Sequence, residues 1–342
     1  MTSLAERHIL LRDVACAPGA RAIAAQGAEA PARAGRLWRL GSEESPFISI
    51  ARRRRRGDPL SKPDTPAANA AQIDYWNAVV GRTWAQFQAQ LDRQIAPLGA
   101  EALRVLAPAE GERILDVGCG CGETTLDLAA RVGPAGQVTG VDISEPMLAV
   151  ARSRERPAKG AMPEFLCIDA QTADLGEATF DAVFSRFGVM FFADPTAAFA
   201  NLHRAVRPGG RLAFVCWRPY AENLWMRAPM DAAQPLLPPM PASDPLAPGP
   251  FAFADPQRLR SILEGAGFSG VRIDPFDTSI GGASVKDTLS LTFQIGPLGS
   301  ALRAAPHLAE SVGEAVEAVL ASHDTPQGVM MPACVWIVQA TR

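Results

Sequence analysis

Residues 112–129 have the sequence ERILDVGCGCGETTLDLA, which joins an apolar run to a glycine-rich turn and then to a helix-forming segment. A buried strand, a glycine turn and a helix N-terminus in that order form a cleft of nucleotide size at the carboxyl end of the strand. Glycines are needed there because a ligand lies against bare backbone, and because we expect some turn residues to adopt positive φ. A Gly-x-Gly-x-Gly pattern also fits dinucleotide-binding enzymes and tight structural turns. The segments that follow it therefore decide its meaning.

Acidic residues stand at the ends of the next two predicted strands. Gly136–Val141 predicts a second strand, and Asp142 ends it twenty residues after Gly122. A carboxylate at that position can accept hydrogen bonds from both hydroxyls of a ribose. Residues 164–168 predict a short third strand that ends at Asp169. Two carboxylates are thus expected at the same edge of the sheet.

A fourth strand is predicted over residues 180–184, ending at Ser185 and Arg186. Helical spacers, mainly residues 145–156 and 195–206, separate the strands. Alternating helices and buried apolar strands predict an α/β fold with a doubly wound, parallel sheet.

Together these segments resemble the class I S-adenosylmethionine-dependent methyltransferases, in the broad group that contains the ubiquinone and menaquinone C-methyltransferases. The resemblance is carried by LDVGCGCG (115–122), VDIS (141–144), Asp169-Ala170, FDAVFSRFGVMFF (180–192) and LHRAVRPGGRLAF (202–214). It covers about residues 74–342 and implies a Rossmann-like, mostly parallel sheet of seven strands with a helical lid. The last strand, expected over residues 333–340, would insert antiparallel between the fifth and sixth. The cofactor implied is S-adenosylmethionine, whereas the motifs say almost nothing about the methyl acceptor.

The resemblance also implies a role for particular residues along the cleft. The glycines of the turn would pass beside the methionine part of the cofactor, with Asp116 near its ammonium group. Asp142 would bind the ribose hydroxyls, and Ile143 or Met147 would pack against the adenine. Asp169 would accept a hydrogen bond from the adenine amino group. The full set of expected cofactor contacts is Asp116, Gly118, Cys119, Gly120, Gly122, Asp142, Ile143, Met147, Asp169, Ala170, Ser185 and Arg186.

Two of these assignments have structural alternatives. Ser185 and Arg186 would line the floor under the reactive methyl group, but a salt-bridged structural role fits Arg186 equally well. Asp142 or Asp169 taken alone could cap a helix. Their joint placement at successive strand ends favours the cofactor role.

A nicotinamide-dependent dehydrogenase is the main rival for the glycine turn and Asp142. The turn has Gly-x-Gly-x-Gly in place of the Gly-x-Gly-x-x-Gly of that class. Hydride transfer also gives no function to Asp169 or to the Arg-Pro-Gly-Gly turn at 207–210. The methyltransferase interpretation explains both.

Composition is that of an ordinary cytoplasmic enzyme. The chain has 342 residues, of which 48% are hydrophobic, and a formal net charge of −3. The sequence contains no uninterrupted run of 18 apolar residues, so no membrane span is predicted. Met1–Leu11 lacks a signal-peptide pattern. The six cysteines form neither a disulfide framework nor a zinc-binding spacing, so no metal site is expected.

The first 66 residues differ in charge from the rest. They carry a net charge of +5 against −8 for the remainder, and Arg52–Arg56 is a run of five arginines. This pattern predicts a disordered basic N-terminal extension. A basic arm for nucleic acid or an acidic surface is the alternative. The extension could also result from the choice of start site, since Leu60 and the following Ser-Lys-Pro-Asp resemble a natural beginning.

From residue 67 onward the sequence predicts one methyltransferase domain. Residues 67–110 would form N-terminal lid helices, with helical periodicity over Asn69–Ala96 and a break near Gly81. Residues 111–217 would form the cofactor-binding core, and residues 218–342 the substrate-side elements. Within the latter, Pro219–Pro256 contains ten prolines and is predicted to be a long loop.

Aromatic residues near the expected active face are the candidates for contacting the acceptor. The lid and the predicted loop both approach the carboxyl ends of the strands. Packing onto the core is an equally good interpretation for the two lid residues. The candidates are Tyr75, Trp76, Phe187, Trp217, Tyr220 and Trp225.

No catalytic residue can be assigned from the four histidines. His8 lies in the basic extension, His203 lies on the helix before the Pro-Gly-Gly turn, where a structural role is favoured, and His307 and His323 lie in the C-terminal helical cover. The Ser-Arg-Phe-Gly after the fourth strand is not the Asp/Asn-Pro-Pro-aromatic pattern of amino-methylating nucleic-acid enzymes. The sequence thus predicts transfer of a methyl group to a C, O or N atom of a small apolar or aromatic metabolite. A nucleic-acid or protein methyltransferase that uses the arginine-rich arm is one alternative. A non-catalytic, cofactor-binding regulatory protein is another.

Overall fold

The computed structural model describes residues 69–239 and 244–342. The predicted basic extension over 1–66, with its arginine run, lies outside the described residues. Across the described ranges, no helix is long and apolar enough to cross a membrane.

One mixed sheet organises the described part of the chain. Its first five strands are parallel to one another. The last long strand lies between the fifth and sixth strands and is antiparallel to both. The order is β3-β2-β1-β4-β5-β8-β6, with β7 paired to β8 alone. The strands are β1 Arg113–Val117, β2 Gln137–Asp142, β3 Glu164–Cys167, β4 Phe180–Arg186, β5 Val206–Trp217, β6 Ser269–Ala283, β7 Asp324–Thr325 and β8 Gly328–Thr341. The predicted seven-stranded, mostly parallel topology is confirmed, and the two-residue β7 is an addition to it.

Helices cover both faces of this sheet. They are α1 Ala70–Asn77, α2 Val79–Gln86, α3 Gln88–Leu106, α4 Glu123–Val132, α5 Glu145–Ser153, α6 Pro195–Ala205, α7 Leu224–Ala233, α8 Pro256–Gly265, α9 Val285–Thr292, α10 Gly296–Ala304 and α11 Ala309–Ala321. The start of α8 agrees with the sequence pattern, because Asp255 accepts a hydrogen bond from the Gln257 N–H and Pro256 takes the first position. Asp194 caps α6 in the same way.

The core lies between the central strands and the helices on either side. Ile114, Leu115, Val183, Phe184 and Phe214 are all fully buried, since β1, β4 and β5 are covered on both faces. This double burial explains why the strands appear in the sequence as unbroken apolar runs.

The lid helices α1–α3 differ from the prediction of one helix broken near Gly81. The chain breaks at Ala78 and again at Phe87, which gives three helices. Gly81 lies just after the first break, where a Cβ would stand 1.9 Å from the Trp76 carbonyl oxygen. The glycine is thus required by the close approach of α2 to the end of α1.

The prediction of a helix-free loop over Pro219–Pro256 is wrong. Helix α7 occupies Leu224–Ala233, and short 3₁₀ turns flank it. Pro229 lies inside the helix, where proline normally costs about 3 kcal/mol. The helix forms nevertheless because Met230 and Ala233 are buried in a cluster with α10, α11 and β8. Tertiary burial here outweighs local propensity.

Asn223 fixes this segment to the sheet. It is fully buried, and its Oδ1 accepts a 3.0 Å hydrogen bond from the Cys334 N–H on β8. Its Nδ2 donates to the carbonyls of Arg218 and Pro219. The side chain thereby continues the β5–β8 hydrogen-bond ladder past Trp217, the last residue of β5.

We predict that Asn223→Ala lowers the free energy of unfolding by about 2–4 kcal/mol, because one buried N–H and two carbonyls lose their partner. Urea unfolding followed by circular dichroism measures this. Gln234→Ala, an exposed change at the end of α7, should stay within about 0.5 kcal/mol of the wild type. Equal unfolding midpoints for the two variants would contradict the assignment.

Candidate cofactor and acceptor site

The glycine turn between β1 and α4 has the conformation that its sequence demands. Gly118, Gly120 and Gly122 have φ values of 67°, 53° and 82°. A Cβ on Gly118 would lie 2.5 Å from the Cα of Gly188, which follows β4. The ends of β1 and β4 therefore meet backbone to backbone. Since the strand order reverses between β1 and β4, this is the switch point where doubly wound sheets bind ligands.

Asp142 connects the end of β2 to this turn. Its Oδ2 accepts a 2.8 Å hydrogen bond from the Gly120 N–H, and its Oδ1 accepts one of 2.8 Å from the Ser144 N–H. Burial raises the pKa of Asp142, and the two backbone donors oppose that rise. Each carboxylate oxygen has further acceptor capacity. The side chain is therefore held in place while it can still accept from two hydroxyl groups.

Asp116 lies beneath the turn and is fully buried. Its Oδ2 accepts hydrogen bonds from the Thr124 and Thr125 hydroxyls at 2.8 and 2.6 Å. Its Oδ1 has no hydrogen-bond partner among the described residues. Burial raises the pKa of Asp116 to about 6. An unpartnered buried carboxylate oxygen beside a ligand cleft suits a cationic group such as an ammonium.

A cavity of about 230 Å³ opens at the carboxyl ends of the strands. It is bounded by the glycine turn, by the ends of β2, β3, β4 and β5, and by the lid helices. Many of the residues singled out in the sequence line it, namely Gly118, Asp142, Ile143, Met147, Asp169, Ala170, Arg186, Tyr75, Trp76, Phe187, Trp217 and Trp225. The others, Asp116, Cys119, Gly120, Gly122, Ser185 and Tyr220, are not among the lining residues.

The wall beyond Asp142 has the features of a purine site. Ile143, Met147 and Ile168 provide apolar surface, and Asp169 and Ala170 stand at its edge. The Oδ1 of Asp169 accepts a 2.9 Å hydrogen bond from the Gln171 N–H. The carboxylate is thereby oriented and retains acceptor capacity for an amino group.

Ser185 and Tyr220 have different surroundings from those expected. Ser185 is fully buried, and its Oγ donates to the Val117 carbonyl at 2.7 Å. It also accepts from the N–H groups of Gly188 and Val189. Its contacts thus fasten the end of β4 to the end of β1. Tyr220 packs edge-on against Phe251, with ring centroids 5.5 Å apart.

Arg186 combines the two roles considered for it, because it lines the cavity and is also ion-paired. Its Nη2 lies 3.0 Å from Asp92 Oδ1, and its Nη1 contacts Glu123 Oε2. Arg154 pairs with the other oxygen of Asp92 at 2.9 Å. Burial works to raise the pKa of Asp92, but Arg186 and the other partners hold it below its ordinary value. This network joins α3 of the lid to the start of α4.

The lid has a second attachment at Asn77, a residue that no motif or periodicity in the sequence singles out. Its Nδ2 donates to the Ile143 carbonyl at 2.8 Å, and its Oδ1 accepts from the Glu145 N–H at 3.0 Å. Ser144 Oγ donates to the Trp76 carbonyl at 2.8 Å. The end of α1 is therefore bound to the loop that carries the proposed ribose and adenine contacts.

Several known proteins are similar to this chain in sequence. The profile described as a methyltransferase domain matches residues 115–214. The demethylmenaquinone methyltransferase of Thermus thermophilus is 35% identical over 172 residues, which are 46% of this chain and 74% of that protein. The chain belongs to the class I S-adenosylmethionine-dependent methyltransferase family. It is an enzyme, and S-adenosylmethionine is its cofactor.

A second relative in sequence and one solved structure are also similar to this methyltransferase. Aklanonic acid methyltransferase DauC of Streptomyces sp. strain C5 is 34% identical over 119 residues, 34% of this chain and 54% of that protein. The chain thus spans about half the length of that relative. Phosphoethanolamine N-methyltransferase 2 of Haemonchus contortus, solved with S-adenosyl-L-methionine, has a TM-score of 0.50 at 17% identity. That alignment covers 82% of this chain and 60% of the other, and it shows a shared fold alone.

Aromatic rings make up much of the remaining lining of the methyltransferase cavity. Phe187 and Trp217 stack with centroids 4.3 Å apart and planes 12° apart, and Trp225 lies 5.0 Å from Trp217. Trp76 contacts Phe191 edge-on at 5.0 Å. Further lining residues come from the connection between α9 and α10, whose sequence has no motif that could have identified it. They are Gln294, Ile295 and Gly296, with Arg303 from α10 itself.

The described histidines lie away from this cavity. His203 packs edge-on against Phe268, and neither His307 nor His323 is a lining residue. In residues 69–239 and 244–342, no cluster of three His, Cys, Asp or Glu side chains could hold a metal ion. His8 lies outside the described residues.

We predict that Asp142→Ala weakens binding of S-adenosylhomocysteine about 100-fold or more, since two charge-assisted hydrogen bonds to the ribose would be lost. Isothermal titration calorimetry measures the dissociation constant. Asp127→Ala is the matched control, because it removes an exposed carboxylate paired with Arg131 on α4. A folded Asp142→Ala variant with nearly wild-type affinity would contradict the ribose assignment.

We also predict a pH-dependent difference in stability between the ligand-free wild type and Asp116→Asn. The folded-state pKa of about 6 exceeds the unfolded value of 3.8, so the folded state binds this proton more tightly. The contribution of Asp116 is greatest below pH 3.8 and is lost as pH rises through about 6. Relative to Asp116→Asn, the wild type should lose about 2 kcal/mol of unfolding free energy between pH 4.5 and 7.5. Urea titrations of both proteins at several pH values test this. Parallel plots of unfolding free energy against pH would show that the pKa of the Asp116 carboxyl is not raised in the folded state.

Proposed function

We propose that this enzyme methylates a C, O or N atom of a small, flat aromatic metabolite and acts in the cytoplasm. The observation that carries the proposal is one cavity whose two halves differ in chemistry. One half presents the half-buried carboxylates of Asp142 and Asp169 and the glycine backbone, which suit the cofactor. The other is walled by Phe187, Trp217 and Trp225, which suit a planar ring.

The relatives support a small-molecule acceptor. Those named above are methyltransferases of demethylmenaquinone and of aklanonic acid. The enclosed volume of about 230 Å³ and its cover of lid helices also favour a compact acceptor over a folded macromolecule.

The residues of this chain would act mainly by positioning. The bound cofactor supplies a methyl carbon that is already activated by its sulfonium. Asp142 and Asp169 would fix the nucleoside part, and the aromatic wall would hold the acceptor ring in line with the methyl carbon. The lid helices would exclude water from the same space.

The titratable groups of the cavity favour an acceptor whose reacting atom is already nucleophilic and does not need a side chain of the protein to deprotonate it. Apart from the arginines and the two carboxylates Asp142 and Asp169, Tyr75 is the only ionisable side chain among the described residues that line the cavity. Burial raises the pKa of Tyr75, so the phenol stays protonated at neutral pH. An electron-rich or acidic ring position needs no strong base, which supports transfer to an activated carbon or to an ionised hydroxyl.

The test is turnover with a panel of hydroxylated and quinol-type aromatic acceptors, followed by release of S-adenosylhomocysteine. We expect Trp217→Leu to lower kcat/KM for the acceptor about tenfold or more, because a stacked wall of the site is lost. Affinity for S-adenosylhomocysteine should change little.

Trp336→Leu provides the control for this variant. Trp336 lies on the neighbouring strand β8, opposite Cys216, and donates its indole N–H to the Ala254 carbonyl outside the cavity. Equal loss of kcat/KM in both variants would point to general destabilisation of the sheet. No turnover with any ring acceptor by a cofactor-binding protein would overturn the proposal.

A further inference from the structure

The charged residues that line the cavity are not all neutralised. Asp142 and Asp169 stand in the cofactor half, and Arg186 is paired with two carboxylates. Arg303, on α10, also lines the cavity. Among the described residues, no Asp or Glu side chain lies within ion-pair distance of Arg303. Arg303 is solvent-exposed, so within the described chain it places a cation without a carboxylate partner at the rim of the cavity.

One edge of the Arg303 guanidinium is held in place by the protein. Its Nη1 donates a 3.0 Å hydrogen bond to the Gln294 carbonyl, which itself belongs to a cavity-lining residue. Within the described residues, the Nε and Nη2 donors of Arg303 have no hydrogen-bond partner. These two donors form the planar fork that matches the two oxygens of a carboxylate. The anchored side chain thus presents a bidentate site.

Two neutral residues lie next to Arg303. Tyr75 from α1 lies close enough for the guanidinium to oppose the burial-driven rise of its pKa, and the Gln294 carbonyl accepts a hydrogen bond from the guanidinium. Elsewhere the same cavity is lined by further neutral side chains, among them Gln94 and Trp225. A phosphate group would bring a second negative charge with no second cation to meet it. A single carboxylate matches the charge and the geometry.

We propose that Arg303 binds a carboxylate on the aromatic acceptor, so that the substrates of this enzyme are aromatic acids. This inference rests on the proposed function, since it places the acceptor ring against Trp217 and Trp225. The carboxylate serves as the binding group because the guanidinium occupies both of its oxygens. The methyl group is therefore transferred to another atom of the same ring system.

The test uses two probes that differ in one group, 1-hydroxy-2-naphthoate and 1-naphthol. Quenching of tryptophan fluorescence reports their binding, because Trp76, Trp84, Trp217 and Trp225 line the cavity. Binding is measured with saturating S-adenosylhomocysteine, whose own affinity is measured separately by calorimetry. The variants are Arg303→Gln and Arg303→Lys, with Arg260→Gln as a control on α8, away from the cavity.

We expect the wild type to bind the naphthoate about tenfold more tightly than the naphthol. Arg303→Gln should abolish this preference and leave the affinity for naphthol unchanged. Arg303→Lys should retain part of the preference, since it keeps the charge but loses the fork. Arg260→Gln should behave as the wild type.

Other outcomes separate this inference from the function on which it rests. If S-adenosylhomocysteine and both naphthyl probes bind but the acid is not preferred, the carboxylate site is wrong and the aromatic acceptor stands. A preference that persists in Arg303→Gln also overturns the site. If neither probe binds the cofactor-loaded protein at millimolar concentration, both the aromatic acceptor and the carboxylate site fall. If S-adenosylhomocysteine itself does not bind, the proposed cofactor contacts fail first.

Discussion

The two hydrogen bonds that Asp142 accepts hold together the parts of this molecule on which the site depends. One comes from Gly120 in the turn after β1, and the other comes from Ser144 in the loop after β2. Ser144 in turn donates its hydroxyl to the Trp76 carbonyl at the end of α1. A continuous set of hydrogen bonds therefore runs from the glycine turn through the half-buried carboxylate of Asp142 to the lid. The geometry of the proposed nucleoside site and the attachment of the lid both depend on this side chain.

A second connection acts on the opposite side of the cavity. Asp92 of α3 is paired with Arg186 at the end of β4, and Arg186 also reaches Glu123 at the start of α4. The lid is thereby attached at two separate points, and each attachment lies next to a cofactor-facing element.

The elements that the sequence predicted well are those whose signal is local. The strands β1, β2 and β4 and the second half of β5 carry consecutive buried residues and so appear as apolar runs. The Asp255-Pro256 pair marks the start of α8. The segment around α7 was predicted wrongly because its proline content was weighed without the burial of Met230, which stabilises the helix. Ser185 was expected to contact the cofactor because it lies in a family motif. That motif does not distinguish a side chain that lines the cleft from one that, like Ser185, hydrogen-bonds the neighbouring strand.

Other residues of the site could not be predicted because their roles depend on contacts between distant segments. Asn77 contacts a loop 66 residues away, and Asn223 contacts a strand 111 residues away. Arg303 lies on α10, whose sequence has no motif, and its proposed role depends on the lack of a carboxylate partner among the described residues. Neither composition nor periodicity contains that information.

The aromatic wall proposed for the acceptor includes Phe187 and Trp217, and the turn after β4 holds Phe187 in place. Phe187 has a φ of 66°, a left-handed conformation that costs a residue with a Cβ about 1–2 kcal/mol. Its ring stacks on Trp217, and the preceding Ser185 fastens the same turn to β1 through Val117. These contacts offset the strain and hold Phe187 in this conformation. In the proposed function, the aromatic wall is thus already formed before an acceptor arrives, so binding would not need to order these side chains.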